Sequence, residues 1–200
     1  MTNLVDLAWT DLQDIRPMLV VPCGSTEQHG PHLPLSTDTD IAIALCEGLA
    51  ASRPGVVVAP PLAYGSSGEH AGFPGTLSIG QQALELVVIE LVRSAAEAFD
   101  AVVLVSGHGG NAATLTRVVR QLSDEGHQVH LHFPRWEGDA HAGRTETALM
   151  LALRPEAVRL DVAEVGDTRP LAELLPALRA SGVHGVSANG VLGDPREATA

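Results

Sequence analysis

Lysine is absent from the 200 residues, and all 12 basic side chains are arginine. That excludes Schiff-base chemistry on a lysine and a phosphate loop built around one. Cysteine occurs only at Cys23 and Cys46, too few and too differently placed for a disulfide scaffold or a thiolate-rich metal site. Cys46 falls inside a helical pattern and reads as a small buried apolar residue. Positive charge is scarce as well: 24 acidic residues leave a formal net charge of −12, which disfavours nucleic acid and anionic membrane as partners. No apolar run reaches the roughly 18–20 residues of a membrane span. The N-terminus lacks the basic start and apolar core of a signal peptide, so a cytoplasmic protein is expected.

The composition, 45% hydrophobic and 18% charged, is that of a folded chain, and its length fits one domain over residues 1–200. The first 17 residues read as an amphipathic lead-in ending at Pro17. Four apolar runs follow with the length and β-branched content of buried strands: 18–21, 56–59, 101–105 and 129–133. Between and after them helical periodicity covers 40–51, 80–99 (with Ser78 as its cap), 112–125, 143–154 and 170–180. Strand–helix alternation of this kind predicts an α/β fold, a three-layer α/β/α sandwich on a mostly parallel sheet.

The chemistry is concentrated in GSTEQHGPHLPLSTDTD, residues 24–40, between the first strand and the first helix. Glu27 and His29 are two apart and project to one side of an extended backbone. Asp38 returns after a proline-stiffened excursion and could bridge two ions. Carboxylate and imidazole together suit Zn or Fe, with Mn a further option. The plain alternative is a solvated loop in which Asp38 or Thr39 caps the helix. His32 and Asp40 read either as supports for the ligands or as loop and cap residues.

Two further clusters follow later strands. SGHGGN presents His108 after the third strand, and WEGDAHAGRTETALMLAL presents His141 and Glu146 after the fourth. In a parallel sheet these loops emerge at one edge, where α/β folds bind ligands. Two divalent ions held among these side chains would acidify a shared water for hydrolysis, with His141, near its ordinary pKa, handing a proton to the leaving group. The long glycine- and proline-rich loop 60–78 is expected to wall the substrate side, through Tyr64, Ser67 and above all His70. His130 and His132 share one strand face, polar or partner-facing. A rival reading is a nucleotide-binding module, since Gly107, Gly109 and Ala112 match G-x-G-x-x-A. The acid that motif wants about 20 residues on is missing, where Phe133-Pro134-Arg135 stands instead.

GSTEQHGPHLPLSTD, EHAGFPGTLS, SGHGGN and HAGRTETALML together resemble the creatininase (creatinine amidohydrolase) family over about 19–156. The resemblance implies a homo-oligomeric α/β/α hydrolase of linear or cyclic amides with two divalent metal ions. By motif it assigns Glu27, His29, Asp38 and His108 as ligands, Asp38 bridging, with His141 as the proton-transfer histidine and Glu146 as an essential acid. Asn111, in the SGHGGN motif, joins Tyr64, Ser67 and His70 on the substrate side. Creatininase proper has a ligand glutamate where this chain has Gly110. That makes Glu146 the candidate replacement ligand and makes creatinine a poorer substrate. SSGEHAGFPGTLSIG and the tail RPLAELLPALRASGV…GVLGDPREATA look like a subgroup that releases a modified C-terminal Val-Tyr core from a ribosomal precursor peptide. Members usually continue with a further helix, so a C-terminal truncation at Ala200 is expected. The alternative within the family is a small formamide or cyclic-amide amidohydrolase.

Overall fold

A computed structural model describes residues 2–136 and 138–200. Five strands form the sheet: β1 (Thr2–Asn3), β2 (Met18–Cys23), β3 (Val56–Val58), β4 (Ala101–Ser106) and β5 (Val129–His132). Their order is β1-β3-β2-β4-β5, and every pairing is parallel. The helices are α1 (Thr37–Ser52), α2 (Gly80–Ala95), α3 (Ala112–Asp124), α4 (Arg144–Leu153) and α5 (Leu171–Ser181).

The layering follows from the two-residue alternation of buried strands. On β2, Leu19, Val21 and Cys23 turn to one face, where Leu84, Val88 and Val92 of α2 and Leu115, Val118 and Leu122 of α3 cover them. Val20 turns to the other, joining Val56, Val58, Val105 and Cys46 of α1. Cys46 is thus the buried apolar residue its setting suggests. Helix α4 packs beside α1 through Met150 and Ile41. Helix, sheet, helix is therefore the order of layers.

Several boundaries differ from the sequence reading. The lead-in supplies an edge strand, because Thr2 and Asn3 pair with Val57 and Val58; two such residues carry no periodicity of their own. Helix α1 begins at Thr37, three residues earlier than its apolar pattern, so Asp38 and Asp40 both sit in its first turn, near the positive end of the helix dipole. Ser78 is not the cap of α2, which is Ile79; its hydroxyl instead accepts N–H bonds from Ser67 and Gly80. His130 and His132 stand exposed on the edge strand β5 and belong to none of the donor groups described next. Among the described residues no helix is long and apolar enough to cross a membrane.

Candidate metal centre

Because every strand runs the same way, the loops after β2, β3, β4 and β5 leave at one edge, and there Glu27, His29, Asp38, His108, His141 and Glu146 converge. Ligand atoms of His29, Asp38 and Glu146 lie within 4.8 Å of one another, and so do those of Glu27, Asp38 and His108. Asp38 belongs to both groups. Its Oδ1 is 3.2 Å from His29 Nε2 and its Oδ2 is 3.1 Å from His108 Nδ1. Ser25 Oγ donates to Oδ2 at 2.7 Å and Thr39 Oγ1 donates to the Ser25 carbonyl, so the carboxylate is locked in place.

The hydrogen bonds define which ring nitrogens are free. His29 Nδ1–H donates to the Glu27 carbonyl at 3.1 Å, which turns the Nε2 lone pair toward Asp38 and toward Glu146 Oε2, 3.9 Å away. Gln28 orients the next two imidazoles. Its Oε1 accepts the Gly30 N–H and its Nε2 donates to the Gly190 carbonyl and to His70 Nδ1. Its backbone carbonyl accepts His141 Nε2–H at 2.9 Å. Chain pairing of His141 with Leu192 on the C-terminal segment completes the clamp. Ala142, left-handed at φ 51° without being glycine, joins His141 to α4 and sends its N–H to Glu146 Oε2. Such strain at a non-glycine residue persists where its surroundings demand it.

These groups fit cations. Both oxygens of Glu27 are fully buried with no hydrogen bond, although His70 Nε2 and His108 Nε2 each approach within 3.2 Å. An orphaned buried carboxylate is costly unless a proton or a metal ion compensates its charge. With protons alone, burial and the charge of Asp38 push the Glu27 carboxyl up to about 8. Burial lowers the proton affinity of His29 and His108, but their carboxylate neighbours outweigh it and raise both to about 10. Burial opposes ionisation of Asp38, yet the two imidazoles hold it well below the usual carboxylate range. Burial raises Glu146. His141 departs from the expected ordinary pKa: burial and the charges of His29 and His70 hold it well below.

A cavity of about 620 Å³ opens over this floor. Among the expected substrate-side residues, His70 lines it. Ser67 is buried behind, its Oγ 3.5 Å from His108 Nε2. Asn111 ties the loops together, accepting the Ser66 N–H and donating to the Gly24 carbonyl, and Tyr64 stands half exposed outside the lining. Neither support role falls to Asp40, which pairs with Arg154 at 2.7 Å, nor directly to His32, whose Nε2 meets Thr147 Oγ1 at 2.9 Å. The sequence reading missed Ser25 and Gln28, whose roles exist only through contacts distant in sequence. Glu69, one residue before His70 on the same loop, sets its Oε1 3.7 Å from His108 Nε2 and fills the space a side chain at Gly110 would need. Two glycines of the SGHGGN turn serve close packing: beside Gly110, a Cβ on Gly107 would overlap the Asp38 carbonyl.

Residues 5–200 match the family model described as creatinine amidohydrolase. The chain is 51% identical to a mycofactocin precursor peptide peptidase of Mycolicibacterium smegmatis, over 94% of this chain and 79% of that one. A solved creatinine amidohydrolase (creatininase) superposes with TM-score 0.81 at 26% identity, covering 99% of this chain and 89% of the other. A mutant creatininase described as Zn-Zn type superposes at 0.80 with 26% identity, covering 98% and 89%.

Proposed function

The chain belongs to the creatininase family and is a hydrolase of amide or peptide C–N bonds; from that premise we propose that it releases the modified C-terminal Val-Tyr core from the mycofactocin precursor peptide, using two divalent metal ions. The observation that carries the metal half of this reading is the pair of buried donor groups sharing Asp38. His29 and Glu146 would hold one ion, Glu27 and His108 the other, with Asp38 common to both. Divalent ions bound there supply Lewis acidity, polarising a carbonyl and lowering the pKa of water towards about 7.

The remaining work belongs to the protein. His141 keeps its Nε2–H on the Gln28 carbonyl, which leaves Nδ1 as the nitrogen that takes a proton and returns it to the departing amine. Burial and the charges of His29 and His70 hold its pKa well below the ordinary value, so a proton taken up there is readily passed on. The peptide half of the reading is supported by the likeness to the peptidase of Mycolicibacterium smegmatis and by the size of the cavity, which a small formamide or cyclic amide would leave mostly empty.

The test is incubation of metal-reconstituted protein with the radical-modified precursor peptide, read by mass spectrometry. Loss of the C-terminal Val-Tyr fragment is expected. An intact peptide beside ready hydrolysis of a simple formamide would replace this reading with the small-amide one. In the same assay His141→Ala should keep its metal content by elemental analysis and lose about 10²–10⁴-fold in turnover.

A further inference from the structure

We propose that α5 is the wall that selects the peptide: Leu171, Leu175 and Leu178 hold an apolar or aromatic side chain beside the scissile bond, and Arg179 anchors a carboxylate of the same peptide. This rests on the peptidase reading above and goes beyond it, since that reading gives the residues of α5 no role.

Residues 171, 175 and 178 share one helix face, at spacings of four and three. All three line the same cavity as Glu27, Asp38 and Glu146. Leu171 and Leu175 are 47% and 38% exposed, whereas Leu174 is fully buried against Val183 and Leu192. The helix thus spends Leu174, and in part Leu178, on its own packing and turns Leu171 and Leu175 to the cavity. An apolar strip facing a polar catalytic floor is how a site grips the body of a ligand while its chemistry happens elsewhere.

The charge pattern gives the polar half. Arg179 is the one arginine in a cavity lining that also carries Glu27, Asp38, Glu69 and Glu146. Arg179, like Arg53, Arg120, Arg135, Arg144 and Arg159, has no ion pair among the described residues, and of these it alone lines the cavity, so its charge is uncommitted there. On a chain of net charge −12, a peptide carboxylate finds attraction from the protein at this wall. Anchoring it there also keeps it off the floor, where it would compete with the amide.

The wall is tied to the floor. Helix α5 ends at Gly182, left-handed at φ 67°, where a Cβ would crowd the Glu69 carbonyl; the next residue, Val183, donates its N–H to that carbonyl at 2.8 Å. A leucine on α5 therefore stands at a set position relative to the donor groups.

The experiment is steady-state kinetics of metal-loaded protein on the modified precursor peptide, with metal content measured for every variant. Leu171→Ala/Leu175→Ala and Arg179→Gln should each raise KM about tenfold or more, with kcat within twofold and metal content unchanged. Leu175→Met, which keeps the apolar bulk, should restore KM. Wild-type protein on peptides with an amidated C-terminus, or with acidic side chains changed to amides, should show which carboxylate Arg179 meets. On that peptide Arg179→Gln should cost nothing further. Unchanged KM in the variants, or a fall in kcat at constant KM, overturns the wall. Failure of wild-type protein to cut the peptide overturns the functional reading instead.

Discussion

His32 illustrates how a single side chain reports on the loop that carries the donors. It is fully buried, and Thr147 Oγ1, which already donates to the Gly143 carbonyl, must accept from its Nε2–H. Its Nδ1 has no partner. Burial, then the charges of His29 and Arg159, lower its pKa to about 4 from the ordinary 6.5. The folded chain therefore binds fewer protons here than the unfolded chain between pH 6.5 and 4, and this contribution to stability is complete above 6.5 and lost as pH falls through that window. Glu27 and the other histidines titrate too, so the quantity to measure is a difference. In chelated protein the stability advantage of wild type over His32→Gln should shrink from pH 7 to pH 5, by up to about 1.4 kcal/mol per unit, read from urea midpoints. A pH-independent gap would remove His32 from the acid response. His32 could be singled out from its neighbours in the chain; its partner Thr147 could not, since 115 positions separate them.

Among the elements, the first turn of α1 decides the site. Asp38 lies on it, Thr39 stitches it to Ser25, and the turn after β4 presses against it at Gly107. Gly107 has no unusual backbone angle; what it needs is the missing Cβ, because the Asp38 carbonyl occupies that space. Gly107→Ala should therefore cost about 1–3 kcal/mol as an overpacked contact and displace Asp38, weakening metal binding in calorimetric titration. Normal affinity in a destabilised variant would show that the turn is free to move without carrying Asp38. The strands and long helices were readable in advance from runs and periods that lie within each segment. The start of α1 was not, because Thr37, Asp38 and Thr39 are polar, and the contacts of Asp38 with Gly107 and of Thr39 with Gly24 lie outside any local pattern.

At the scale of the whole molecule, the metal centre and the fold share one free energy. Three carboxylates and two imidazoles of the donor groups are drawn from loops that only the assembled sheet brings together, so sites for cations exist only in the folded chain. Ion binding should stabilise by mass action, about 2.7 kcal/mol for one site at 100 times its Kd. For a chain of this size that is a rise in Tm of roughly 5–11 °C. Chelation should reverse it, and Asp38→Ala should melt at a temperature insensitive to chelator. An unchanged Tm on chelation of wild type would mean that the donors are satisfied without ions.

The amino-acid order was enough to announce an α/β sandwich, a parallel sheet, and the donor residues at its carboxyl edge, because strand length, helical period and clusters such as GSTEQHG and HAGRTETA are local properties. Closure in space settled the rest: the edge strand from Thr2–Asn3, the placing of Asp38 between His29 and His108, the hold of Gln28 on His70 and His141, and the leucine face that α5 turns to the cavity. Each of these is a contact between segments far apart in the chain, and its energy exists only once the sheet has brought them together.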